Sequence, residues 1–142
     1  MPITVTVPEG LLSAEGEQRV LEQLTASLLK WNGLTGNAFM TPNVGGSIHV
    51  LPKERIFAGG KPEELVLIEL KLPAFGLASQ EQKQGFVAEA TAIIDEATNG
   101  SHPKALTWVN VTYAADGSWG IGGHAYTNAE FGEAVAGAAA GV

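Results

Sequence analysis

The chain has 142 residues, so we expect a single domain over residues 1–142 with a core large enough to be stable without disulfides or metal. Its net charge of −7, from 15 acidic and 8 basic residues, argues against nucleic acid as a partner, and the lack of cysteine excludes disulfides, zinc–thiolate sites and cysteine nucleophiles. No segment is apolar enough to cross a membrane and no signal peptide is visible, so the sequence predicts a cytoplasmic protein that does not bind membranes.

The chain begins Met1-Pro2, and the second residue is a candidate catalytic group. A small residue after the initiator allows Met1 to be removed, which would leave Pro2 with a free secondary amine. An α-amino group ordinarily has a pKa of about 7.7–8.0, and burial or nearby positive charge would lower it toward the range that suits a general base. The alternative is that Pro2 only begins a strand, a position where proline is tolerated.

The first half of the chain predicts a strand, a helix and a second strand. Residues 3–7 alternate threonine with β-branched apolar residues, the pattern of a half-buried strand. A helix over residues 13–32 has a serine N-cap, an apolar face at helical spacing and a glycine after its end. Residues 36–46 resemble a loop, and residues 47–51 predict the second strand.

The first half ends in residues 55–60, a short extended segment with a glycine pair, and residues 61–64 are the most linker-like stretch in the middle of the chain. The second half then repeats the order of strand, helix and strand. A strong strand is predicted over residues 65–72. A helix follows over residues 79–99 with a capping box at its start, and another strand over residues 106–113.

The two halves therefore correspond as a tandem βαβ repeat. Residues 2–60 and 65–123 each give strand, helix, strand and glycine pair, and Ala58-Gly59-Gly60 matches Ile121-Gly122-Gly123. The tail over residues 134–142 is mostly alanine and glycine and is predicted to be flexible.

Two such units side by side predict an α+β fold. Four strands would form a mixed sheet, and the two helices would cover one of its faces. We expect the other face to carry apolar side chains, including Ile3, Val5, Leu67 and Val109, which sister subunits would bury.

Pro2, the tandem βαβ repeat and the segment Trp119-Gly120-Ile121-Gly122-Gly123 after the last strand together resemble the tautomerase superfamily. Its members include 4-oxalocrotonate tautomerase, malonate semialdehyde decarboxylase and the cis-3-chloroacrylic acid dehalogenases. The resemblance covers roughly residues 2–125, and residues 32–36 resemble the long, fused-length branch near the dehalogenases. It implies a tautomerase/MIF-like fold, a homotrimer, and a catalytic Pro2 amine in an apolar pocket near subunit boundaries.

The resemblance also implies one site per chain. The position in the second half that corresponds to Pro2 is expected near Leu67 or Ile68, inside the chain, where no free amine can exist. Three chains would therefore provide three sites.

The chain departs from the family in its charged residues. Family members usually place arginines in the loop between the first strand and helix, whereas this chain has only Arg19 and Arg55, neither of them in such a loop. The position of the dehalogenases' histidine resembles Trp31. The strand position at which family members carry a substrate-binding tyrosine or arginine resembles Asn110, and His49 stands at the matching position of the first repeat. The water-activating carboxylate has no evident match, so neither dehalogenation by hydration nor tight dicarboxylate binding is favoured.

We therefore predict a tautomerase that needs neither a cofactor nor a metal. Neutral Pro2 would act as a general base on a small α-keto or enol acid, and pre-placed donors would stabilise the charge that develops on the carbonyl oxygen. The candidate substrate-binding residues are Asn110, Trp119, Lys71, Arg55, His49 and Trp31.

Each candidate also has an ordinary structural interpretation, such as a packing aromatic, a solvated charge or a strand histidine. Three alternatives for the function stay open. A protonated Pro2 would serve a hydratase, dehalogenase or decarboxylase, a catalytically weak chain would serve as a scaffold or binding module, and an ordinary ferredoxin-like domain would have a regulatory role.

Overall fold

The computed structural model describes residues 1–140. The four strands of the main sheet and the first two helices follow the predicted order, and two short hairpins and a third helix are added to them. The elements in chain order are β1 (Ile3–Pro8), α1 (Ala14–Trp31), β2 (Gly46–Leu51), β3 (Phe57–Ala58), β4 (Lys61–Pro62), β5 (Val66–Leu72), α2 (Gln80–Ala97), β6 (Thr107–Tyr113), β7 (Trp119–Ile121), β8 (His124–Tyr126) and α3 (Asn128–Ala140).

The predicted mixed sheet with two helices on one face is confirmed. Its strand order is β2-β1-β5-β6, with parallel pairs β1–β2 and β5–β6 joined by the antiparallel pair β1–β5. Both predicted caps form: the Ser13 hydroxyl accepts from the backbone of Gly16, and Ser79 and Gln82 form a reciprocal capping box. Local sequence therefore fixes where both helices begin.

Most apolar side chains of the sheet face the helices, so the expectation that the open face carries apolar residues is wrong. Ile3 and Val5 are fully buried in the core, and Val109 packs against it. Of the four residues expected on the open face, only Leu67 lies there, because side chains alternate along a strand and Leu67 neighbours the buried Ile68. The open face instead carries polar residues such as Thr4.

Two short hairpins lie at corresponding places in the two halves of the chain. β3–β4 turns through Gly59-Gly60 and β7–β8 through Gly122-Gly123, and all four glycines have positive φ, as a two-residue hairpin of this kind requires. Of the stretch 61–64, which its composition predicts as a linker, Lys61 and Pro62 thus belong to a hairpin. The first hairpin is exposed, with Phe57 at 53% exposure.

The register of the strands places the position that corresponds to Pro2 in the second half elsewhere than the sequence predicts. In the two parallel pairs, Val5 lies opposite Ile48 and Ile68 lies opposite Val109. Matching these pairs aligns Val5 with Ile68, so Pro2 corresponds to Leu65 and not to Leu67 or Ile68. Leu65 is 1% exposed and lies inside the chain, where its nitrogen belongs to a peptide bond.

The third helix was not expected from the sequence. Composition predicts a flexible tail from residue 134, whereas α3 continues to Ala140, and residues 141–142 lie outside the described range. Phe131 anchors α3 in an aromatic cluster with ring centroids 5.2–5.9 Å away. Its partners are Phe39, Phe75, Trp119 and Tyr126. None of the helices within residues 1–140 has the length and hydropathy needed to cross a bilayer.

Candidate active site

A cavity of about 270 Å³ lies at the N-terminus of the chain, where β1 and β2 begin. The chain terminus, the loop before β2 and strand β7 form its walls. None of its lining residues carries a charged side chain, and the size suits a small molecule. They are Met1, Pro2, Pro42, Asn43, Gly45, Trp119, Gly120 and Ile121.

The N-terminal amine is held inside this site. Met1 is 2% exposed, and its α-amino nitrogen donates to the carbonyl oxygen of Asn43 at 2.6 Å. Burial lowers the pKa of this amine from 8.0 to about 6. While Met1 is attached, the nitrogen of Pro2 belongs to a peptide bond and is not basic. Burial therefore favours a neutral Met1 amine at neutral pH, whereas Pro2 itself is exposed.

The loop that carries Asn43 is fixed by a buried asparagine. The side-chain oxygen of Asn37 accepts from the backbone of Phe39 and Met40, and its amide nitrogen donates to the carbonyl of Val135 at 3.0 Å. Val135 lies in α3, so this helix ties down the loop that forms one wall of the cavity. A buried amide with three hydrogen bonds holds the loop in one conformation.

Trp119 forms the opposite wall. It is 9% exposed and meets Phe131 edge to face, with ring centroids 5.7 Å apart. No acceptor for its indole N–H is found within residues 1–140, and no buried side-chain nitrogen there lacks a partner. The N–H therefore faces accessible space and can donate to a bound molecule.

A second cavity of about 250 Å³ adjoins Pro2 on the open face of the sheet. The backbone N–H of Lys71 donates to the carbonyl of Pro2 at 3.3 Å, so Lys71 is the cross-strand neighbour of Pro2. Glu69 lies directly opposite Thr4, one step further along the same face. Pro2 thus stands between an uncharged cavity and a polar one, whose lining residues are Pro2, Thr4, Glu69, Leu70, Lys71 and Thr112.

Three other predicted residues lie away from both cavities within one chain. Asn110 is on the open face opposite Glu69, one strand further from Pro2. His49 lies opposite Thr6, four residues along from Pro2 and therefore roughly 13 Å away, and its Nε2 pairs with a serine hydroxyl. Arg55 is exposed in the turn before the first hairpin.

Trp31 lies between the two helices. Its indole N–H donates to the carboxylate of Glu89 at 2.6 Å, and its ring fills the space that a side chain at Gly85 would need. Hydrogen bonds from Lys30 and Ser27 reach the same carboxylate and lower the pKa of Glu89. Within one chain, Trp31 thus joins α1 to α2 and lines neither cavity beside Pro2.

Several cavity residues were missed in the sequence. Asn43 becomes a neighbour of the terminus because β2 runs parallel to β1 and starts beside it. Glu69, Thr4 and Thr112 reach the open-face cavity through period-2 alternation and the antiparallel pairing of β1 with β5. The alternation was visible in the sequence, but the pairing that joins these residues was not.

No protein-family model and no curated protein matches the chain, but solved structures share its fold. A native fused 4-OT has 22% identity, covering 93% of this chain and 99% of its own, with a TM-score of 0.75. N1, a member of the cis-3-chloroacrylic acid dehalogenase family, has 16% identity, covering 94% of this chain and 89% of its own, with a TM-score of 0.75.

Macrophage migration inhibitory factor from Toxoplasma gondii has 12% identity, covering 89% of this chain and 100% of its own, with a TM-score of 0.71. Another fused 4-OT with a TM-score of 0.74 is described as a symmetric trimer; it has 12% identity and covers 93% of this chain and 99% of its own. The predicted tautomerase/MIF-like fold is thereby confirmed.

Proposed function

We propose that this protein is a cofactor-independent enzyme of the tautomerase superfamily, which isomerises a small α-keto or enol acid with the amine of Pro2 as general base. The observation that supports this most directly is a buried N-terminal amine with a lowered pKa beside Trp119. Removal of Met1 would transfer the terminal amine to Pro2 and vacate the volume that Met1 fills.

The proposed reaction moves one proton along a conjugated acid. The neutral Pro2 amine takes a proton from the enol oxygen or the carbon next to the carbonyl and returns it elsewhere on the conjugated system. Lys71 would bind the substrate carboxylate, since it is the cross-strand neighbour of Pro2. The free indole N–H of Trp119 would donate to the oxygen on which negative charge develops.

The remaining candidate residues would bind substrate only if a contact between subunits brought them to a site. Asn110, His49 and Arg55 line neither cavity of one chain, so a neighbouring protomer would have to bring them to a site. The hydrogen bond to Glu89 gives Trp31 a structural role within the chain, and a substrate contact would be additional to it.

We propose that the protein assembles as a homotrimer. Strands β2 and β6 form the two edges of the sheet, and Phe57 and Trp108 are large exposed apolar residues. A symmetric trimer is described for one of the fused 4-OT structures of the same fold. Light scattering at micromolar concentration should give about three times 14.8 kDa, and a stable monomer would refute the assembly.

The pH dependence of the reaction tests the role of Pro2. We expect the protein to convert phenylenolpyruvate to its keto form, with kcat/KM rising through one ionisation as pH increases, because only the neutral amine is a base. An ionisation below the ordinary value of 8.0 would mean that the Pro2 amine, once Met1 is removed, is buried as the Met1 amine is here. Ultraviolet absorbance of the enol measures the rate, and the reaction without protein is the control.

Other outcomes of this measurement would support the alternatives. A kcat/KM that falls with rising pH would indicate a protonated Pro2 acting as an acid, as hydration or decarboxylation requires. A rate equal to that of the control, together with no proton exchange in D₂O, would contradict the enzyme and favour a binding module.

A further inference from the structure

The charges beside Pro2 restrict what kind of acid the site can accept, an inference that rests on the proposed function. Among the residues lining the two cavities, only Lys71 and Glu69 carry charged side chains. They occupy alternate positions of β5, so both project from the same face of the sheet, about 7 Å apart along the strand. Pro2 therefore has one cation and one anion as neighbours.

Within residues 1–140, Lys71 is the single cationic side chain that lines either of the two cavities. Neither Lys71 nor Glu69 takes part in the ion pairs found within residues 1–140. The hydroxyl of Thr112 already donates to the carbonyl of Leu70, so its proton is not free for a carboxylate. One carboxylate can thus bind at Lys71 with a charge-assisted hydrogen bond.

Within the same chain, a second carboxylate would find no comparable partner in either cavity. Towards Trp119 it would enter the uncharged cavity, whose polar wall includes the carbonyl oxygen of Asn43, and burying an unpaired charge there is costly. On the open face it would meet the carboxylate of Glu69, which repels it. An uncharged or hydrogen-bond-donating end is compatible with both places.

We infer that the substrate is a monocarboxylate whose distal end is uncharged, and that Glu69 keeps a second carboxylate off the open face of the sheet. Lys71 holds the single carboxylate next to Pro2, and the neutral end occupies the cavity at Trp119. The site then discriminates because the Glu69 carboxylate repels a dicarboxylate, and such repulsion is a common means of distinguishing similar molecules.

Binding of two unreactive acids of matched shape tests this inference. Crotonate carries one carboxylate and a methyl group, and fumarate carries a carboxylate in place of that methyl. In an NMR titration of the protein lacking Met1, crotonate should bind at least about tenfold more tightly than fumarate, since every 1.4 kcal/mol is a factor of ten. Glu69→Gln should tighten the binding of both acids, because Glu69 also lies near the carboxylate held at Lys71, but it should tighten fumarate clearly more and so narrow the ratio of the two dissociation constants.

Two further variants make the result specific. Glu133→Gln removes the same charge from an exposed position of α3 and should leave the ratio unchanged, which accounts for the overall charge of the protein. Lys71→Gln should weaken both acids. Equal binding of the two acids by the wild-type protein, or a ratio that Glu69→Gln does not alter, would overturn the inference.

Turnover separates this inference from the proposed function. With a 2-hydroxy-2,4-dienoate and its counterpart bearing a terminal carboxylate, kcat/KM should favour the monoacid, and Glu69→Gln should reduce the preference. If neither dienol reacts but crotonate still binds more tightly than fumarate, the proposed isomerase is wrong and the selectivity for monocarboxylates stands.

Discussion

A chain that keeps Pro2 inside a peptide bond is expected to lose about 10²–10⁴-fold in kcat/KM, the range that a positioned general base contributes. Such a chain is made by an extension before Pro2 that cellular processing cannot remove. An amide nitrogen has no basic lone pair, so the extended protein lacks the proposed base even though every other side chain is present. The measurement is ketonisation of phenylenolpyruvate, with mass spectrometry to establish the N-terminal residue.

The control for this experiment must separate chemistry from folding. The N-terminal amine is buried and bonded to Asn43, so an extension has to leave through the cavity and could disturb it. The same extension at the C-terminus is the matched control and should retain activity. Pro2→Ala keeps an amine at the terminus but makes it primary and more mobile. Its activity should therefore lie between those of the N-terminally and the C-terminally extended proteins. Full activity in a protein whose extension is intact would refute Pro2 as the base.

The sequence predicted the local structure better than the site. Caps at Ser13 and Ser79 and the paired glycines of the hairpins are local signals, because capping and positive φ depend on a few neighbouring residues. The alternation of β1 shows that Ile3 and Val5 share a face, but it does not say which face the helices cover. That information comes from the packing of distant elements.

The same limit applies to the candidate site. Pro2, Trp119 and Lys71 were singled out in the sequence, and they line the two adjoining cavities. Glu69 was missed because its proximity to Pro2 depends on the antiparallel register of β1 with β5, which joins residues some 65 positions apart. The resemblance to a family directed attention to missing arginines, whereas the charged side chains that line the cavity beside Pro2 are those of Lys71 and Glu69.

Helix α3 shows why composition misleads at the end of the chain. Its alanines and glycines give little apolar area, and a helix of 13 residues is marginal by itself. One large side chain provides the packing that composition does not reveal: Phe131 is fully buried among four aromatic rings. The helix that it anchors also accepts the hydrogen bond from Asn37 that fixes the cavity loop.

Phe131→Ala is therefore expected to cost about 3–5 kcal/mol of unfolding free energy, the range for removing a buried phenylalanine. The loss combines a cavity in the core with four missing aromatic contacts, one of them to Trp119. Urea unfolding at a fixed protein concentration measures it, and Phe131→Leu is the control, because it keeps most of the apolar volume and should lose clearly less. Activity should fall as well at urea concentrations where the variant remains folded, since both Trp119 and the Asn43 loop depend on this contact. A loss below about 1 kcal/mol would mean that α3 is not what holds the cavity walls in place.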